Sequence, residues 1–182
     1  MHFHFEHSVP APPARVEAAL LDPATFQRLV HASPVVASGE VLSRVEEPGY
    51  VERVARLEAH GLRAALGRDL FPDRAVWTQR TRWQLELHRA SFVIEPMLAP
   101  GLRAFVQCGG EYRLEPLGAG GTRRIVDGEI RVRVPTLGSR IERAVVSLLA
   151  THFPAEARLL GELVGPARES ARTAAGASLG SR

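Results

Sequence analysis

His152 and Glu156, near the end of the chain, stand one helical turn apart and so project from the same side of a helix. An imidazole can hold or pass a proton near neutral pH, and a neighbouring carboxylate can orient it for acid–base work. Their setting makes the pair informative. At about 100° per residue, Leu137, Ile141, Ala144, Val145, Leu148, Leu149, Leu159, Leu160 and Leu163 form one apolar stripe, with His152 at its centre and Glu156 on the same side. Arg140, Arg143, Ser147, Pro154 and Arg158 face away. Burying an unpartnered polar group costs roughly 1–3 kcal/mol, so the pair needs either partners or a solvated cavity. In a cavity, His152 and Glu156 would meet the polar end of a ligand; the competing reading is a satisfied core pair. The cavity reading also implies that replacing both with leucine leaves the chain folded.

The wall of such a cavity has candidates on the strands. Trp77, Gln79, Thr81 and Trp83 alternate onto one strand face, and two polar side chains between two indoles are unusual for a dry core. Phe92, Val106 and Tyr112 fall on inward positions of later strands, and the Tyr112 hydroxyl needs a hydrogen-bond partner if buried. The candidate ligand-binding set is therefore Trp77, Gln79, Thr81, Phe92, Val106, Tyr112, Leu148, Leu149, His152 and Glu156. No residue is assigned a catalytic role from spacing alone.

Other chemistries find little support. His2 and His4 share a strand face but His7 points opposite, so three ligands do not converge and no metal is expected. Cys108, the single cysteine, sits on an inward position and reads as an inert buried thiol. No phosphate-cradling glycine loop, serine elbow or paired-cysteine zinc motif is present, and Gly118, Gly120 and Gly121 join two strands. No cofactor is implied.

The elements that position these residues follow from periodicity. His2 to Val9 alternates as a strand, ended by Pro10, Pro12 and Pro13. Val16, Ala19 and Leu20 then carry helical spacing. Asp22 followed by Pro23 reads as an N-cap opening a second short helix to about His31, with Phe26, Leu29 and Val30 inward. Alternation from Ala37, a Glu47-Pro-Gly turn and Tyr50 to Ala59 predict a hairpin. His60 to Asp73 is a connector. Strands follow around Trp77–Trp83, Ser91–Glu95 and Leu102–Leu114, and Leu117-Gly-Ala-Gly-Gly turns into a last strand, Thr122 to Val134. On that strand Thr122, Arg124, Val126, Gly128, Ile130, Val132 and Val134 share one face. Pro135 and Gly138 lead into the long helix, which reaches about Val164, with Pro154 expected to bend it. Strands without helical crossovers pair antiparallel, so the layout is α+β: one antiparallel sheet wrapped on one helix.

Composition bounds the rest. A chain of 182 residues can bury a core without staples, and one domain over residues 1–165 with a disordered Gly/Ala/Ser/Arg tail over 166–182 is expected. All 23 basic residues are arginine, yet the net charge is only +3 and no helix carries a basic stripe, so nucleic-acid binding is not expected. No run approaches the roughly 18–20 apolar residues of a membrane span, and the start lacks a secretory signal pattern; a cytoplasmic protein without stable membrane insertion is the simplest reading.

The order of elements resembles the SRPBCC superfamily, which groups START-domain-like, pollen-allergen-like and polyketide-cyclase-like proteins with a helix-grip fold. The stretch Gly128-Glu-Ile-Arg-Val-Arg-Val-Pro-Thr-Leu-Gly-Ser-Arg-Ile-Glu142 is similar to the strand-to-helix junction of a bacterial domain of unknown function within it. Trp77, the Phe92 to Pro96 segment and Gly121-Thr-Arg-Arg124 carry the same likeness. The resemblance implies a curved antiparallel sheet of about seven strands, two short helices after the first strand, and a cavity for an apolar ligand. Three functions stay open: a binding module for a lipid-like or aromatic small molecule, a cyclase-, aromatase- or hydratase-like enzyme using His152 or Tyr112, and a protein-interaction domain whose partner is unknown.

Overall fold

The computed structural model describes residues 1–59, 75–97 and 105–165. The connector expected at His60 to Asp73, the first residues of the Leu102–Leu114 strand and the tail from Pro166 lie outside the described residues. In chain order the elements are β1 (His2–Val9), α1 (Pro13–Leu21), α2 (Pro23–Ala32), β2 (Val36–Glu47), β3 (Tyr50–Ala59), β4 (Ala75–Gln84), β5 (Arg89–Pro96), β6 (Val106–Leu117), β7 (Gly121–Val132) and α3 (Gly138–Val164).

Each boundary has a local cause. Asp22 has extended backbone and its Oδ2 accepts the Thr25 amide at 2.7 Å, capping α2 while Pro23 occupies the first turn. Glu47 and Tyr50 pair directly, leaving Pro48 and Gly49 as a two-residue turn with Gly49 at φ +86°. At the start of α3, the Glu142 carboxylate accepts the Val132 amide at 2.8 Å and ties the helix's first turn to the end of β7. The helix runs unbroken through Pro154, whose ring faces outward.

All strand pairings are antiparallel, and the sheet order is β1-β7-β6-β5-β4-β3-β2. The first strand therefore pairs with the last, while β1 and β2, consecutive among the strands, occupy opposite edges. Helices α1 and α2 make that crossing, and α3 packs against β1, β7, α1 and α2. This is the α+β helix-grip arrangement expected from the sequence. The periodicity places the core residues as expected: Val16 and Leu20 on α1, and Phe26, Leu29 and Val30 on α2, are buried.

Two glycines in the middle of the sheet permit a close approach of aromatic rings. Gly128 of β7 pairs with Phe3 on one side and with Gly110 of β6 on the other, and Gly110 in turn pairs with Phe92 of β5. A Cβ on Gly128 would lie 2.3 Å from Phe3 Cζ, and one on Gly110 would lie 2.9 Å from Phe92 Cζ. Two rings thus fold over the backbone of two glycines, which only residues without Cβ permit. Replacing Gly128 with alanine is expected to destabilise the fold by roughly 1–3 kcal/mol, the usual penalty of overpacking, read as a lower urea midpoint at unchanged slope.

Candidate functional site

The buried apolar residues do not form one continuous mass. Among the described residues they fall into separate clusters around Trp83 and Leu160, around Phe92 and Phe153, around Phe26 and Leu57, and around Cys108 and Ile130. Between them lies a cavity of about 310 Å³, walled by the concave sheet, α3 and the two short helices. Trp77, Gln79 and Thr81 line it from β4, Phe92 from β5, and Val106 and Tyr112 from β6. Leu148, Leu149, His152 and Glu156 line it from α3, so all ten residues selected from the sequence line the same cavity.

The polar end of this cavity is organised by a residue absent from that set. Arg124 of β7 is 0% exposed, and its Nη2 donates to Glu156 Oε2 of α3 in a direct ion pair. Its guanidinium carbon lies 5.4 Å from the Tyr112 ring centroid and 5.3 Å from that of Phe153, so aromatic faces share in holding the charge. Arg124 Nε and Nη1 are buried without a hydrogen-bond partner. Burial pushes the Glu156 carboxyl up, but the charge of Arg124, with His152, the direct hydrogen bond and Arg53, outweighs it and holds the group below its ordinary range. Glu156 is thus a charged counter-ion.

His152 is oriented by a different partner from the one expected. Its Nδ1 lies 3.0 Å from Ser33 Oγ, at the end of α2. That oxygen already accepts the amides of Val35 at 3.2 Å and Val36 at 2.9 Å. With its lone pairs engaged, the hydroxyl donates its hydrogen to Nδ1, so the neutral imidazole carries its proton on Nε2. Burial lowers the His152 pKa, Arg124 adds to the effect and Glu156 opposes it.

Arg53 and Tyr112 complete the polar end, and His7 stands beside Arg124 outside the lining. Arg53 of β3 lines the cavity, donates from Nη1 to the Leu20 carbonyl at 3.1 Å and stacks 4.6 Å from the Phe26 ring centroid. Tyr112 is pushed up to about 12 by burial and by Glu156, against smaller effects of Arg124, Arg53 and Gln79, so its phenol keeps its proton. His7 of β1 pairs with Arg124 across the ladder and sits on the inner face, and its pKa is lowered by burial and by Arg124. Gln79 Nε2 donates to Thr81 Oγ1 at 3.3 Å, so part of the polarity on β4 is satisfied locally. Cys108 is buried and pushed up to about 11 by desolvation. Among the described residues no group of three or more His, Cys, Asp or Glu is placed to hold a metal.

Arg53, Arg124, Ser33, His7 and Phe153 are the site residues that spacing alone did not select. A signal existed for two of them: Arg124 shares its face with Val126 and Ile130, and Arg53 shares its face with Val51, Ala55 and Leu57. An arginine on an apolar strand face demands a counter-charge or an aromatic cover, as an acid on an apolar helix face does.

This geometry changes the expectation for substitution. Glu156→Leu leaves Arg124 buried and unpaired, and removing one partner of a buried pair costs about 3–5 kcal/mol. The double His152→Leu, Glu156→Leu variant is accordingly expected to be severely destabilised. Arg124→Met combined with Glu156→Leu removes both charges and should recover most of the loss in urea denaturation, while Glu156→Leu alone should not. The histidines set a second expectation. A histidine whose folded pKa lies below its ordinary 6.5 lends stability that is complete above 6.5 and declines as pH falls below it, and His152 and His7 act in the same direction. The urea midpoint should therefore start to fall just below pH 6.5, and His152→Asn should make that decline shallower.

Solved structures share this fold. The zhui aromatase/cyclase from Streptomyces sp. R1128 superposes with a TM-score of 0.64 at 18% identity, covering 90% of this chain and 93% of that one. A START superfamily protein from Mycobacterium smegmatis gives 0.61 at 14%, covering 89% and 98%. Ara h 8.0201 gives 0.58 at 16%, covering 88% and 97%. At these identities the likeness establishes a shared fold, the helix-grip arrangement. No curated protein matches the sequence. No helix among the described residues is long and apolar enough to cross a membrane. A family model matches residues 4–164, and the chain therefore belongs to the family described as protein of unknown function (DUF2505).

Proposed function

We propose that this protein binds an apolar small molecule, lipid-like or aromatic, in the cavity between the sheet and α3. The observation that carries the reading is the cavity itself: about 310 Å³ enclosed by largely apolar side chains, with a few polar groups gathered on its wall. Ligand sites commonly occupy roughly 300–1,000 Å³ and combine an apolar wall with a small number of orienting polar groups. A medium-length alkyl chain or a compact ring system matches that space. The shared fold of an aromatase/cyclase, an enzyme that acts on a small molecule, supports the reading.

A second reading has one specific support. His152 is neutral, is oriented through Nδ1 and lines a cavity like a proton carrier, and one similar structure is an aromatase/cyclase. In that reading His152 would exchange a proton with a polyketide-like substrate and the Tyr112 phenol would donate a hydrogen bond to its oxygen.

Native mass spectrometry of protein isolated without added ligand, compared with its denatured mass, tests binding. A discrete non-covalent adduct released on denaturation is the expected result. Leu149→Trp, which fills the space, should lose the adduct while keeping a cooperative urea transition. An apo mass, together with no uptake of a neutral hydrophobic fluorophore, would reject the reading. Chemical change in the released molecule on incubation with the protein, lost in His152→Asn, would move the assignment to the enzyme.

A further inference from the structure

The charges on the cavity wall do not balance. Among the described residues it carries two guanidiniums, Arg53 and Arg124, and one carboxylate, Glu156. Arg124 and Glu156 neutralise each other by direct contact. His152 is held neutral, and Tyr112 keeps its proton. Arg53 is left with a backbone carbonyl and the face of Phe26 as its contacts, and no ion pair to it is formed among the described residues. Glu156 lies close enough to act on Arg53 as well, yet among the described residues the wall still carries one positive charge more than its carboxylate offsets, beside an apolar space where a field is screened far less than at a solvated surface.

Hydrogen-bond capacity is skewed in the same direction. Trp77 Nε1 and Arg124 Nε and Nη1 are buried donors without partners, and both residues line the cavity. The imidazole of His152 adds its Nε2 proton. A wall rich in unused donors and carrying one excess positive charge complements an acceptor with one negative charge. A phosphate monoester, at about −1.5 to −2, would overshoot that balance, whereas a carboxylate matches it and fits the planar fork of a guanidinium.

We propose that the cavity takes an amphipathic carboxylate, with the acid group against the guanidinium of Arg53 and the tail among Trp77, Phe92, Ile94 and Leu149. The inference rests on the reading of the cavity as an apolar-ligand site and adds the head group to it. A flexible alkyl acid and a fused-ring aromatic acid share this chemistry, and the test separates them.

The neutral fluorophore N-phenylnaphthylamine, bound to the intact protein near neutral pH, is displaced by two matched pairs: decanoate against decanol, and naphthoate against naphthalenemethanol. In at least one pair the acid is expected to compete at about tenfold lower concentration than its alcohol, the gain of one partly buried ion pair. The pair showing the larger gain identifies the tail class. Arg53→Gln should abolish the acid's advantage and Arg53→Lys should keep part of it, with circular dichroism confirming that each is folded. Alcohols competing as well as acids in both pairs would overturn the inference while leaving apolar binding intact. Retention of the full acid advantage in folded Arg53→Gln would overturn the role of Arg53. Failure of the fluorophore and of all four competitors to bind would remove the binding reading, and this inference with it. If Arg53→Gln does not fold, the wild-type acid-to-alcohol ratio decides the matter alone.

Discussion

A guanidinium with no access to solvent, set on the concave face of the sheet, is the constraint around which this molecule is arranged. Desolvating such a group costs several kcal/mol, and it is tolerable only where a counter-charge and further contacts are supplied. Glu156 supplies the charge, and Tyr112 and Phe153 supply aromatic faces. Because Arg124 belongs to β7 and Glu156 to α3, the pair also sets the position of the helix over the sheet. An apolar stripe of leucines could slide by a turn, about 5.4 Å, with little loss of burial. A buried ion pair could not, since both charges would be stranded. The contact that fixes this helix is therefore polar, and the position of His152 one turn earlier, against Ser33 at the end of α2, follows from it.

The cavity is a consequence of the same arrangement. Protein interiors ordinarily close to nearly crystalline density, and unfilled space costs roughly 24 cal/mol per Å³ when its lining cannot relax. Here the lining is held apart from two sides. On the sheet, Phe3 and Phe92 lie over the Gly128–Gly110 pair, so aromatic bulk is tied to the strands. On the helix, the Arg124–Glu156 contact holds α3 at a set height. Guanidinium, imidazole and phenol groups around the space make a filled state, by water or by a ligand head group, favourable in a way a dry leucine-lined void is not.

Much of this was legible from local pattern. Period-two alternation located β1, the β2–β3 hairpin and the inward residues of β4 and β6. Asp22-Pro23 marked the start of α2, and helical spacing put Leu148, Leu149, His152 and Glu156 on one side of α3. These are properties of short windows, governed by backbone geometry and turn chemistry. The partnerships were not legible, because they join residues far apart: Arg124 meets Glu156 across 32 positions, and Ser33 meets His152 across 119. Alternation placed Arg124 and Val126 on the same face, but pairing it with one acid among many requires knowing that β7 and α3 lie together. Arg53 was hidden for a related reason, since its aromatic cover, Phe26, comes from a helix 27 positions earlier in the chain. Phe153, just beyond His152, is buried, whereas among the leucines that defined the helical stripe only Leu160 is.

The protonation states along the wall have a direction of their own. Acid–base catalysis favours groups whose pKa lies near the working pH, so that both forms are within reach. Here the environment moves the groups outward: Glu156 is held ionised by Arg124, Tyr112 is pushed up to about 12, and His152 is lowered from 6.5 by burial. Each is thereby locked into a single form near neutral pH, and each locked form has a defined hydrogen-bonding character. Glu156 engages one carboxylate oxygen with Arg124, whereas Tyr112 and His152 each retain a proton to donate. A cluster locked in this way discriminates ligands by where they carry acceptor oxygens and negative charge. That is the physics of orientation and selection, and it favours the proposed binding role over proton transfer as the use of this cluster.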